Sequence, residues 1–242
     1  MVEKLFNPQQ EIFKTEIKRN LDSGIALLRS EYETNPDEIK NRLGSEIGRL
    51  LVDELICQHQ ISKAQKQENS SEDSIRQVEK ILRFYQQIMG EKDFMATKNG
   101  FLAEFAVIKA ISVDAGFGVE SSTEDEDCIH KTDLWVDLEG KALAVQVKCI
   151  KDIDRPYFID LNLEGEFEEF YDKFGYLFKA RNFLDNIEKI KQYSRGYENG
   201  IPVLIVLPSP GSDQAVFNHK TGKPDKKIGD YFYEEIDRRY LE

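Results

Sequence analysis

The sequence predicts an α/β protein: a mixed β-sheet core flanked by helices, with a helical N-terminal region ahead of it. Three observations carry this reading. Apolar residues recur at helical spacing through the first 90 positions, where no strand signal is found. Beyond Gly100 the period shortens, and alternating apolar and polar runs stand between helical stretches. One run, Ile201 to Leu207, is almost wholly apolar apart from Pro202, as suits a strand buried on both faces. The order helix, some three strands, helix, strand, helix describes a sheet layered with helices. The division falls near residue 95, giving a helical region over 1–95 and a sheet domain over 96–242.

In chain order, the first helix has the stripe Ile12, Phe13, Ile17, Leu21, Ile25 and Leu28. The second starts at Asn35-Pro36-Asp37-Glu38. Asn35 can cap it, Pro36 suits the first turn, and the two acids favour the positive end of the helix. Its apolar stripe is Ile39, Leu43, Ile47, Leu50, Leu51 and Leu55. Ser62 to Asp73 is polar and reads as a loop. A third helix carries Ile75, Val78, Ile81, Leu82, Phe84 and Ile88. A helix then spans Phe101 to Ser112, with β-like runs around Gly118, over Thr132 to Asp137 and over Ala142 to Ile150. Tyr157 to Leu163 is extended, a helix covers about Lys179 to Tyr193, and the last helix covers Gly229 to Leu241.

Composition narrows the function classes. In 242 residues, 33 Lys and Arg stand against 45 Asp and Glu, a net charge of −12. That excludes a histone-like or polybasic nucleic-acid binder, though not local basic patches. The residues through Met95 hold 14 bases and 17 acids, a net −3, so −9 falls on the rest. No apolar run approaches the roughly 20 residues of a membrane-spanning helix, and MVEKLFNPQQ lacks a signal-peptide apolar segment. Cys57, Cys128 and Cys149 are scattered and odd in number, which fits a reduced cytoplasmic protein without disulfides. His59, His130 and His219 do not join them at zinc-ligand spacing.

The chemistry concentrates in Lys131 to Lys148. Two period-2 runs flank Glu139-Gly140, a plausible hairpin turn. A two- or four-residue loop centred there makes facing position numbers sum to 279, so Asp133 stands opposite Gln146. Facing residues share one side of the sheet, and strand alternation adds Lys148 to that side. Leu134, Val136, Val145 and Val147 point the other way. A three-residue loop would break this register. On the preceding helix, Glu104 lies in an apolar flank between Val107, Ile108 and Ile111. A lone buried carboxylate costs several kcal/mol unless a cation or hydrogen bonds compensate it. Glu104 and Asp133 together can hold a hard divalent cation through oxygen, and the Gln146 amide oxygen can add a neutral ligand.

At these residues the sequence resembles the PD-(D/E)XK nuclease superfamily, which includes restriction enzymes and Mrr-like enzymes. The resemblance spans about Gly100 to Leu207. Glu104 matches the helix acid, Asp133 the acid ahead of the hairpin, and Gln146-Val147-Lys148 the strand motif in its QxK form. Thr132 stands where the superfamily's name has Pro, and Gln146 where it has an acidic ligand. The resemblance implies a restriction-endonuclease-like fold and Mg²⁺-dependent endonuclease activity on DNA, with Mn²⁺ as a substitute. Asp133, Glu104 and Gln146 would be metal ligands, and Lys148 would position the attacking water or stabilise charge on the phosphate. The implied role is restriction or other prokaryotic DNA defence or processing. The alternative is a nuclease-fold module that does not cut, or a nuclease subunit of a larger transposase or defence assembly.

Nucleic-acid contacts have two candidate sources. Lys179, Arg181, Lys189, Lys191 and Arg195 line the helix after the hairpin, where Gln192 and Tyr193 are weaker candidates. Lys220, Lys223, Lys226 and Lys227 form a cluster in a Gly/Pro loop. Either could equally be solvated surface. Glu124 to Asp127, His130 and Asp137 read as solvated loop or turn positions, with a second-metal ligand as the alternative for the acidic run. Trp135 reads as packing. Asp160 to Asp172 holds six acids and no base and should face solvent or a basic partner. The N-terminal helices suit a cap, a DNA-binding accessory or a homodimer interface, and a dimer would allow cleavage of both strands, since each such site cuts one.

Overall fold

The computed structural model describes residues 91–122, 126–127, 129–178, 180–197, 199–210, 212–218 and 222–241, with isolated positions 23, 26, 30, 33, 34, 83 and 86. The chain divides into two compact units, Met1–Tyr85 and Gln86–Glu242. The helices expected in the N-terminal region lie almost wholly outside the described residues, nearly all of which belong to the second unit.

That unit is α/β. Helix α1 (Glu91–Lys109) runs into a π-helical turn (Ala110–Asp114), and strands β1 (Gly118–Ser121), β2 (Leu134–Leu138), β3 (Lys141–Ile150) and β4 (Tyr157–Asp160) follow. Next come α2 (Glu166–Phe174), a short 3₁₀ turn (Gly175–Leu177), α3 (Ala180–Ser194), β5 (Gly200–Pro208) and α4 (Lys226–Ile236), which ends in a second π-helical turn (Asp237–Leu241). The helix expected from Phe101 thus begins a further ten residues earlier. The sheet order is β1-β2-β3-β5-β4. The β1–β2, β2–β3 and β4–β5 pairs are antiparallel and β3–β5 is parallel, so the sheet is mixed.

The hairpin has the expected register: Leu134 faces Val145, Val136 faces Leu143, and Leu138 faces Lys141. The loop is the two residues Glu139 and Gly140. Gly140 has φ +77°, a conformation that glycine adopts without steric cost.

Each sheet face is covered. On the side of Ala144, Leu204, Val206 and Ile159 lie Phe167, Phe170 and Phe174 of α2 and Phe183, Ile187 and Ile190 of α3. The α2 rings recur at helical spacing, which places a helix inside the acidic stretch read from sequence as a solvent-facing surface. Two of its acids are engaged within the fold. Asp160 is buried, and its Oδ2 accepts from the Tyr240 hydroxyl at 2.8 Å. Glu166 pairs with Arg239 at 2.6 Å. The outer edge of β4 has side-chain partners: the Phe158 N–H donates to the Tyr231 hydroxyl at 3.0 Å, and the Asp160 N–H to Glu166 Oε2 at 3.2 Å.

The opposite face carries Leu134, Val136, Leu143, Val145, Val203 and Ile205, all fully buried. It packs with α1 and α4, and Phe232 meets Phe158 with ring centroids 6.4 Å apart. The loop before α4 leans on α1, where a side chain at Gly222 would meet the Phe105 ring at 2.8 Å. Among the described residues no helix is long and apolar enough to cross a membrane.

Candidate active site

Asp133 sits one residue before β2, where the ladder changes hands. Its N–H still donates to the Val145 carbonyl at 2.8 Å, but the Val147 N–H donates to the Asp133 carboxylate, at 2.6 Å to Oδ2. The Asp133 carbonyl turns away and accepts from the Ser122 hydroxyl at 2.9 Å. The carboxylate is thus held by the backbone of the strand that carries Gln146 and Lys148. Lys131, two residues earlier, has φ +62°, an uncommon conformation for a residue with a side chain and of a kind that concentrates at functional sites.

Glu104, Asp133, Lys148 and Asp127 form one electrostatic cluster. Burial raises the Glu104 carboxyl well above the usual carboxylate range, and the charges of Asp133 and Asp127 raise it further, with Lys148 opposing. Burial likewise pushes Asp133 up to about 6; Lys148, the Val147 N–H and Lys131 pull it down, and Asp127 pushes it up. Each charge in this pair makes the other costlier to ionise, a cost that a bound cation would relieve.

Gln146 shares the sheet face but is enclosed, 1% exposed, and its Oε1 has no hydrogen-bond partner. Thr132 Oγ1, next to Asp133, is also buried and unpartnered. A buried oxygen left unpaired costs about 1–3 kcal/mol. The two carboxylates, whose repulsion a positive charge relieves, suit a hard cation, and the Gln146 amide oxygen is a neutral donor on Asp133's side of the sheet. Among the described residues, no three His, Cys, Asp or Glu side chains are gathered as a complete ligand set.

The acidic run before the hairpin is not simply solvated. Asp127 acts on the Glu104–Asp133 pair. Glu126 is buried and accepts hydrogen bonds from Trp135, Tyr193 and Tyr197. Sequence spacing could not have found this, because the tyrosines lie 67 and 71 residues further on. The Tyr193 hydroxyl, a weak phosphate candidate from sequence, is engaged there. Glu124 and Asp125 lie outside the described residues.

The basic candidates separate. Lys189 and Arg195 are exposed, whereas Lys191 is half-buried with its ammonium 5.8 Å from the centre of the Phe167 ring. Lys223 is exposed in the loop against α1. Its charge, second to burial, lowers the pKa of Lys109 on that helix. Lys220 and His219 lie outside the described residues, as do Lys179 and the side chain of Arg181.

No protein-family model matches this chain, and neither a curated protein nor a solved structure matches it.

Proposed function

We propose that the chain is a metal-dependent endodeoxyribonuclease of the PD-(D/E)XK type, hydrolysing DNA phosphodiester bonds on a restriction-endonuclease-like core. The observation that carries this reading is the partly buried electrostatic cluster of Glu104, Asp133 and Lys148, with the Asp133 carboxylate fixed by the Val147 N–H. The element order supports it: a helix bearing the first acid, an antiparallel meander bearing the rest, then a helix and a strand parallel to β3.

Asp133, Glu104 and the Gln146 amide oxygen would hold Mg²⁺, or Mn²⁺ in its place, which when bound lowers the pKa of water and neutralises phosphate charge. Lys148 stabilises negative charge building on the scissile phosphate. The Val147 N–H fixes the Asp133 carboxylate, so that it is aimed before substrate arrives. Lys189, Arg195 and Lys223 contact phosphates further along the strand.

One observation favours a second reading, a module that does not cut alone or the nuclease subunit of a larger assembly. Gln146 supplies no charge where a third acid would, so the site holds a cation less strongly. Supercoiled plasmid incubated with Mg²⁺ or Mn²⁺ tests both. Nicking that falls at least about 100-fold in Asp133→Ala and in Lys148→Ala supports the nuclease. Nicking that persists in both variants overturns the site. Cation binding with no nicking of any DNA form favours the second reading.

A further inference from the structure

Beside the carboxylate cluster lies a group of rings that hydrolysis does not use. Glu126 Oε1 accepts from Trp135 Nε1 at 3.1 Å and from the Tyr193 hydroxyl at 2.9 Å, and the Tyr197 hydroxyl lies 2.7 Å from the Tyr193 hydroxyl and 3.4 Å from Glu126 Oε1. One buried carboxylate therefore orients three rings. His130 lies flat on Tyr193, with centroids 3.9 Å and planes 6° apart. Tyr197 meets Tyr193 edge-on at 5.1 Å and Trp135 at 4.8 Å. Tyr197 keeps 45% of its surface exposed, and the other three rings are half-buried. Rings held by hydrogen bonds to an enclosed charge are set in advance, which filling space does not require.

The location gives these rings a use. Asp127, the residue after Glu126, acts on Glu104 and Asp133. Trp135 follows Asp133 by two residues, on the same side of β2. Glu126 and Asp127 keep phosphates away from the rings, while a neutral flat base has no such penalty. A net charge of −12 confines phosphate contacts to a few local bases, so stacking has a share to supply.

We propose that His130, Tyr193 and Tyr197 form a stacking site that receives an unpaired base of single-stranded DNA next to the bond presented to Asp133. This rests on the nuclease reading. Trp135 is the single tryptophan of the chain and lies against Tyr197, so its fluorescence reports the site.

The test titrates the full chain, in EDTA at low salt, with a short oligothymidylate and with an abasic oligomer of equal length. The oligothymidylate should quench Trp135 and bind about five- to 100-fold more tightly than the abasic strand. Tyr197→Ala should lose that margin, while Tyr197→Phe, which keeps the ring, should retain it. Equal binding of the two strands overturns the stacking site. So does an unchanged margin in Tyr197→Ala with its thermal unfolding and near-ultraviolet circular dichroism intact, or no binding of either strand. Plasmid nicking by the same preparations separates the failures. Nicking lost in Asp133→Ala without base dependence removes the stacking site alone, whereas absence of both removes the nuclease reading too.

Discussion

Replacing Asp133 by Asn should stabilise the metal-free protein at neutral and alkaline pH. The Asp133 carboxyl is raised from its ordinary 3.8 to about 6, first by burial. Because the folded value is the higher one, the native state binds this proton more tightly than the unfolded chain does. That advantage is whole below pH 3.8 and gone above about pH 6, so the metal-free wild type loses stability across this window. The gap corresponds to up to about 3 kcal/mol. Asn has no proton to lose, and its amide oxygen can still accept from the Val147 N–H. At pH 8 in EDTA the variant should therefore exceed wild type by up to about 3 kcal/mol, or about 6–12 °C in Tm for a chain of this size. At pH 4 the two should coincide. Urea and thermal unfolding at both pH values measure this directly. Adding Mg²⁺ should raise the wild type toward the variant and leave the variant unmoved. Equal stability at pH 8, or a variant destabilised there, would refute the claim that this carboxylate is held ionised at a cost.

Gln146→Glu supplies a third carboxylate to the same enclosure. It should tighten Mg²⁺ binding by about ten-fold or more and lower metal-free stability at pH 8, as followed by calorimetry and urea unfolding. Unchanged affinity would place the residue 146 side chain outside the cation site. Glu126→Ala strips Trp135 and Tyr193 of their shared acceptor and should cost about 2 kcal/mol or more, with altered Trp135 emission. A wild-type unfolding midpoint would show that these hydrogen bonds are replaced without loss.

What was legible in the sequence was what local rules determine. The β2–β3 register follows from alternation and a two-residue turn, because a slip of one would set Leu134 and Val136 on the face opposite to Leu143 and Val145. Strand β5 follows from its apolar run, and the partial burial of Glu104 from its apolar neighbours on α1. What escaped depends on partners far along the chain. Asp160 looked like a surface acid because Tyr240, which binds it, comes 80 residues later. Glu126 looked solvated because its tyrosine partners stand on and just past α3. Helix α2 was hidden by its acids, although Phe167, Phe170 and Phe174 already carried the helical period.

The hydrogen bonds on the far side of β4 bear on how the folded chain behaves at high concentration. An edge strand normally offers its outward N–H groups to any strand that approaches, which is how folded sheets stack into larger assemblies. Here the Phe158 donor is taken by Tyr231 and the Asp160 donor by Glu166, and Glu166 is itself held by Arg239. The sheet therefore terminates chemically as well as geometrically at β4. Behind that seal lies β5, whose Val203–Leu207 run is wholly apolar, with β3 guarding its other side. Protection of this strand in the native state depends on two side chains from α2 and α4, so loosening either helix would expose a sticky ladder while most of the sheet was still intact.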